Sequence, residues 1–202
     1  MTKIKLCGLS RVCDIETANL LHPDYIGFVF APKSKRYVTP EKARMLRQLL
    51  SPDIQAVGVF VDETPEKVAA LLNNATIDIA QLHGSEDDNT IQLLRELTDK
   101  PLIQAFRIST PDDAAKAEAS AADFILLDSG AGTGNLFDWG LLKDLRRPYF
   151  LAGGLDPLNV RNAVTCLKPY GVDVSSGIET DGRKDRDKMA AFVAAVRKEG
   201  RI

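Results

Sequence analysis

The chain has 202 residues, of which 45% are hydrophobic and 27% charged, with a net charge of −2. That is the composition of one ordinary globular domain with a large core. It provides no basic field to hold nucleic acid or anionic lipid, and no apolar run reaches the roughly 18 residues that span a bilayer.

Met1-Thr-Lys-Ile-Lys5 leads directly into a strand, so no signal peptide is expected. Strand-like runs follow in order: Ile4–Leu6, Tyr25–Phe30, Ala56–Val61, Ile77–Leu82, Leu102–Phe106, Phe124–Leu127, Tyr149–Leu151 and Gly171–Val174. Most are short apolar or β-branched runs closed by Gly, Pro or Asp, as buried parallel strands are. Helical patterns separate them. Thr39-Pro40, Thr64-Pro65, Thr110-Pro111 and Asp156-Pro157 each place a capping side chain before a proline suited to the first helical turn. Ile91, Leu94 and Leu97 recur at helical spacing, as do Val160, Ala163, Val164 and Leu167, and Met189, Phe192, Val193 and Val196.

Eight strands alternating with helices, at a repeat of about 25 residues, predict an α/β chain folded as a single (β/α)8 TIM barrel over residues 1–202. The rival is a doubly wound open sheet. That fold usually carries a glycine fingerprint after its first strand, and Leu6-Cys7-Gly8-Leu9-Ser10 lacks one. Chemistry in barrels sits on the loops after the strands, so the strand ends hold the candidates.

Cys7 ends strand one, either as a small buried hydrophobe or as a base whose thiolate nearby cations would have to favour. Arg36, in Lys33-Ser-Lys-Arg36 after strand two, is either a solvated loop charge or a guanidinium fork for a carboxylate. His83 closes Gln81-Leu-His83 and is preferred as a structural donor over an acid or base. Asp128 follows four apolar residues. It is either a capping residue or a poorly solvated carboxyl with a pKa raised towards general-acid values. Gly130, Gly132 and Gly134 follow it in a loop that is no Walker motif.

Gly153 and Gly154 after strand seven, and Ser175, Ser176 and Gly177 after strand eight, form two turns able to point backbone N–H groups at one anion. Their place in the repeat predicts a phosphate. Asp173 shares side-chain parity with Ser175, and Lys5 with Cys7. Barrel closure makes strands one and eight neighbours, so a buried Lys5–Asp173 contact is expected. Asp173 reaching a substrate hydroxyl is the alternative. Cys7, Cys13 and Cys166 are odd in number and lack metal-ligand spacing, which suggests reduced thiols, a cytoplasmic setting and no metal site.

Taken together, IKLCGLS, GFVFAPKSKRYV, VGVFVDE, QLHG, LLDSGAGTGNLFDW, LAGGLDPLNV and VDVSSGIETDGRKD resemble the phosphoribosylanthranilate isomerase family over nearly the whole chain. The resemblance implies Cys7 as base, Asp128 as acid, Arg36 on the anthranilate carboxylate, and Gly154 with Ser175 to Gly177 on the phosphate. It also puts Asp173 in the active site. One departure stands out: Gly130-Ala-Gly-Thr-Gly-Asn-Leu136 replaces a loop that in the family is closer to Gly-Gly-Thr-Gly-Lys-Thr. Asn135 and Leu136 thus stand where a lysine and a threonine are common.

The implied reaction is an Amadori rearrangement of an aminoaldose to an aminoketose. It calls for a proton given to the ring oxygen and one taken from C2. No cofactor or metal is implied, since the iminium intermediate is itself an electron sink. The implied partner is a small phosphorylated substrate, with the chain a monomer or homodimer. A histidine-pathway aminoaldose isomerase would place an aspartate at the end of strand one, where Cys7 stands. Indoleglycerol-phosphate synthase would centre its site on a lysine, and a barrel kept only as a binding partner would lack the acid or the base.

Overall fold

The computed structural model describes residues 1–128, 139–142 and 145–198. The first half of the chain runs β1 (Lys3–Cys7), α1 (Val12–Leu21), β2 (Tyr25–Val29), α2 (Pro40–Leu49), β3 (Gln55–Phe60), α3 (Pro65–Asn73), β4 (Ile79–Leu82) and α4 (Asp88–Leu97). The second half runs β5 (Leu102–Arg107), α5 (Pro111–Ala119), β6 (Phe124–Asp128), a 3₁₀ turn (Trp139–Leu142), β7 (Tyr149–Ala152), α6 (Val160–Leu167) and β8 (Gly171–Val174). A second 3₁₀ turn (Ser176–Ile178), the short strands β9 (Glu179–Thr180) and β10 (Arg183–Lys184), and α7 (Arg186–Arg197) complete it.

Strands β1 to β8 close into a parallel barrel in chain order, and β9 and β10 form a separate antiparallel ribbon. Closure is direct: Lys5 of β1 sits in register with Asp173 of β8. Among the described residues, no helix is long and apolar enough to cross a membrane. The loop that carries Gly130, Gly132, Gly134, Asn135 and Leu136 lies outside the described residues.

The pleat sorts each strand's side chains between two cores. Ile4, Leu6, Ile26 and Phe28 face outward into the large cluster shared with the helices. Tyr25, Val57, Ile79, Ile103, Leu126 and Phe150 form a smaller cluster inside the barrel. Burying each such side chain stabilises by about 1.5–3 kcal/mol, and because both faces are buried the strands read as apolar runs. At the base of the barrel, Tyr25, Phe124, Phe150 and Tyr170 pack edge-on or stacked, with ring centroids 5.2–6.1 Å apart. These rings fill the barrel at its base.

The helix starts follow the proline signals with one exception. Thr39 and Thr110 accept hydrogen bonds from the N3 amides of α2 and α5, Thr110 within a capping box. Thr64 occupies the cap of α3 without that bond. Asp156-Pro157 does not open α6, which begins at Val160. The Asp156 carboxylate instead accepts from the amides of Leu158 and Asn159, folding an Asx turn that delays the helix.

Candidate active site

The open end of the barrel holds a cavity of about 240 Å³. Its lining comes from almost every strand end singled out above: Cys7, Arg36, His83 and Asp128, with Gly153-Gly154, Asp173 and Ser175-Ser176. Val29, Val59 and Ala152 supply apolar wall. Cys7 and Asp128 are the last residues of β1 and β6, three strands apart around the closed ring. Strand geometry, rather than a loop, aims both side chains into the mouth.

Asp128 is part-exposed, at 26% of its side chain, with Oδ2 3.5 Å from Nε2 of His83. His83 in turn has Nδ1 2.7 Å from the amide nitrogen of the buried Gln81. The Gln81 side-chain amide thus engages Nδ1, and Nε2 is the ring nitrogen that faces Asp128. His83 therefore belongs to the cavity wall and to the surroundings of Asp128. Both ring nitrogens have partners, as the expectation of a satisfied structural donor requires, and the cavity wall is the added fact.

Beneath Cys7 lies the Lys5–Asp173 pair, at 2.9 Å from Nζ to Oδ1, with the lysine side chain fully buried. Desolvating two charges offsets most of their attraction, so such a pair is a poor source of net stability. Its position directly under the strand-one thiol points to electrostatics at the site. Burial pushes the Cys7 thiol above its ordinary pKa, and the Asp173 carboxylate adds to the rise. The ammonium groups of Lys5 and Lys184 pull it down and only partly offset the rise.

The two glycine turns are mechanically linked. Gly154 sits at φ +65°, with nothing within 4 Å of where a Cβ would stand. Gly177 does not line the cavity but supports it from behind. A Cβ there would lie 2.0 Å from the carbonyl oxygen of Leu155, so only glycine lets the two turns meet. Ser175 hydrogen-bonds through Oγ to the carbonyl of Cys7, at 3.2 Å, tying the second turn to the strand that carries the thiol.

Arg36 reaches the cavity from the loop after β2, and its guanidinium is already engaged. Nε and Nη2 donate to the two carboxylate oxygens of Glu179, at 2.5 and 2.9 Å. The buried Lys184 donates to the same carboxylate, at 2.7 Å. Burial alone would raise the Glu179 carboxyl, yet the hydrogen bonds from Arg36 and Lys184 prevail and hold its pKa at about 2. Neither Glu179 nor Lys184 was singled out from sequence. The only signal was the acid and base spaced across the Asp181-Gly182 turn in Glu179-Thr-Asp-Gly-Arg-Lys184.

A carboxyl and a thiol face each other across a barrel mouth with a guanidinium on one side and paired glycine turns on another. That arrangement sits where (β/α)8 enzymes build their active sites, at the C-terminal ends of the strands, and defines a barrel enzyme of that class. Comparison with known proteins narrows it. A family model described as N-(5'-phosphoribosyl)anthranilate (PRA) isomerase matches residues 4–195, and the chain belongs to that family.

The N-(5'-phosphoribosyl)anthranilate isomerase of Endomicrobium trichonymphae is 45% identical over 202 residues, covering 98% of this chain and 99% of its own. Among solved structures, monomers generated from the dimeric phosphoribosylanthranilate isomerase of Thermotoga maritima superpose with a TM-score of 0.87 at 37% identity. A phosphoribosyl anthranilate isomerase in complex with reduced 1-(o-carboxyphenylamino)-1-deoxyribulose 5-phosphate superposes with a TM-score of 0.88, also at 37% identity. Each alignment covers 98% of this chain and 100% of the other. The chain is thus an isomerase of tryptophan biosynthesis, converting N-(5-phosphoribosyl)anthranilate to 1-(2-carboxyphenylamino)-1-deoxyribulose 5-phosphate.

Proposed function

We propose that the two protons of this reaction are handled by Asp128 and Cys7, with Arg36 and the paired turns holding the substrate's ends. Asp128, protonated, gives its proton to the furanose ring oxygen as the C1–O bond breaks. The nitrogen lone pair closes to a C1=N iminium. Cys7, as thiolate, then takes the C2 proton, and that electron pair flows to the iminium to give a neutral enolamine. Loss of the C2 hydroxyl proton and gain of one at C1 complete the aminoketose. The observation that carries the assignment is the placement of Cys7 and Asp128 on strands three apart, both lining one cavity.

The phosphate would rest on the backbone of Gly153-Gly154 and Ser175-Ser176, and the anthranilate carboxylate on Arg36. Binding at two remote anionic ends fixes the sugar between acid and base, which turns binding energy into orientation. Asp173, held by Lys5, is positioned to meet a sugar hydroxyl. A phosphorylated small molecule is then the partner that matters, with the chain working as a monomer or homodimer. Its setting would be the cytoplasm, where the free thiols of Cys7, Cys13 and Cys166 stay reduced.

The pH profile tests the base. Because burial raises the Cys7 pKa, the thiolate is the minor form at neutrality in the free enzyme. The competent form needs Asp128 protonated and Cys7 deprotonated together, so kcat/KM should follow a bell whose two limbs belong to the pair, level between them rather than climbing through neutrality. The assay follows loss of substrate fluorescence after anthranilate and phosphoribosyl pyrophosphate are joined by the upstream transferase. A steady fall through neutrality, with no level stretch, would remove Cys7 from the role, and a steady climb would remove the proton of Asp128.

Arg36→Ala tests the anchor. Losing a charge-assisted hydrogen bond to the carboxylate should raise KM roughly 10–100-fold while kcat moves only a few-fold. A large kcat loss at unchanged KM would contradict a simple carboxylate anchor.

A further inference from the structure

The β9–β10 ribbon supplies two buried charges that the chemistry above leaves without a task. Glu179 and Lys184 have side chains only 6% and 2% exposed. A guanidinium has two edges able to grip a carboxylate: one from Nε and an Nη, the other from the two Nη atoms at its end. Glu179 occupies the first edge of Arg36 through Nε and Nη2. The remaining edge, carried by Nη1 and the outer hydrogen of Nη2, points away from Glu179 on a residue that lines the cavity.

The stem of Arg36 is fixed as well. Its Cδ lies against Gly8, where a Cβ would come within 2.5 Å. Lys184 balances the charge. Arg36 and Lys184 together carry one more positive charge than Glu179 removes, so the cluster keeps its attraction for an anion. The same ammonium donates to the carbonyl and Oγ of Ser175, at 2.8 and 3.2 Å. One buried cation therefore joins the arginine's support to the second glycine turn.

We propose that Glu179, backed by Lys184, is a positioning residue that turns Arg36 so that its free end edge receives the substrate's ring carboxylate. The inference rests on the reading of Arg36 as the carboxylate anchor. It explains why an arginine meant for a ligand is already paired. The internal carboxylate fixes the guanidinium plane before substrate arrives, so less rotamer freedom is lost on binding.

The test compares two ligands: the reduced product analogue 1-(o-carboxyphenylamino)-1-deoxyribulose 5-phosphate, and its counterpart lacking the ring carboxyl group. Dissociation constants are measured for the unsubstituted enzyme, Glu179→Gln, Arg36→Ala and the double variant. Glu179→Gln should weaken the carboxylated ligand roughly 5–10-fold and the other less than about two-fold. Adding it to Arg36→Ala should cost nothing further, because Glu179 acts through the arginine.

Equal weakening of both ligands by Glu179→Gln would overturn the proposal while the selective loss in Arg36→Ala keeps the anchor reading intact. Equal weakening of both by Arg36→Ala would overturn the anchor reading itself. Glu179→Asp keeps the charge beside Lys184 but withdraws it from Arg36 by one methylene. It should show the same selective loss, and it covers the case in which the glutamine variant fails to fold. An aspartate variant with unsubstituted affinities for both ligands would likewise overturn the proposal.

Discussion

With Asp128 replaced by asparagine, turnover should fall by about 10²–10⁴-fold, the range associated with loss of a general acid, while the reduced product analogue still binds. Asparagine keeps the size and the carbonyl oxygen of the side chain, so the β6 strand end and the approach of His83 survive. What it lacks is a proton that can leave. Without that proton the furanose oxygen departs as an alkoxide, and ring opening becomes the slow step. The measurement is kcat by fluorescence loss beside a dissociation constant for the analogue. Near-normal turnover would take the acid role from Asp128 and pass it to His83, whose Nε2 lies 3.5 Å away.

Cys7→Ala should be at least as severe, with kcat reduced by about 10³-fold or more. Alanine fits the space, since Cys7 is a small buried residue packed with Val29 and Val59. The fold and the Lys5–Asp173 pair beneath it should therefore persist. Ring opening by Asp128 would continue in this variant, but the C2 proton would have no acceptor. Loss of the level stretch in the kcat/KM profile should accompany the loss of rate. If that stretch remained at near-normal turnover, another group would be the base.

Much of this architecture was legible because a barrel strand has two apolar faces and a defined end. Tyr25–Phe30 and Phe124–Leu127 read as strands for that reason, and the polar residues closing such runs were natural suspects. Parity and closure together led from Lys5 and Asp173 to a contact that the structure has at 2.9 Å. Glu179 and Lys184 were hidden for a physical reason. Their strands are two residues long and rich in charge, so they carry no periodicity to read. The nearness of His83 to Asp128 was hidden because nothing local in Gln81-Leu-His83 reveals a neighbour two strands away on β6. The start of α6 was misplaced because Asp156 spends its carboxylate on a turn, a use that looks identical in sequence to a helix cap.

The contact between Gly177 and the Leu155 carbonyl has a consequence for how such barrels can be rebuilt. The two turns are keyed into each other. A segment carrying β7 and its turn, transplanted alone into a foreign barrel, would arrive without the recess that seats it. The final quarter of the ring, from β7 through Gly177, is then the smallest cassette in which this anion seat can be moved intact.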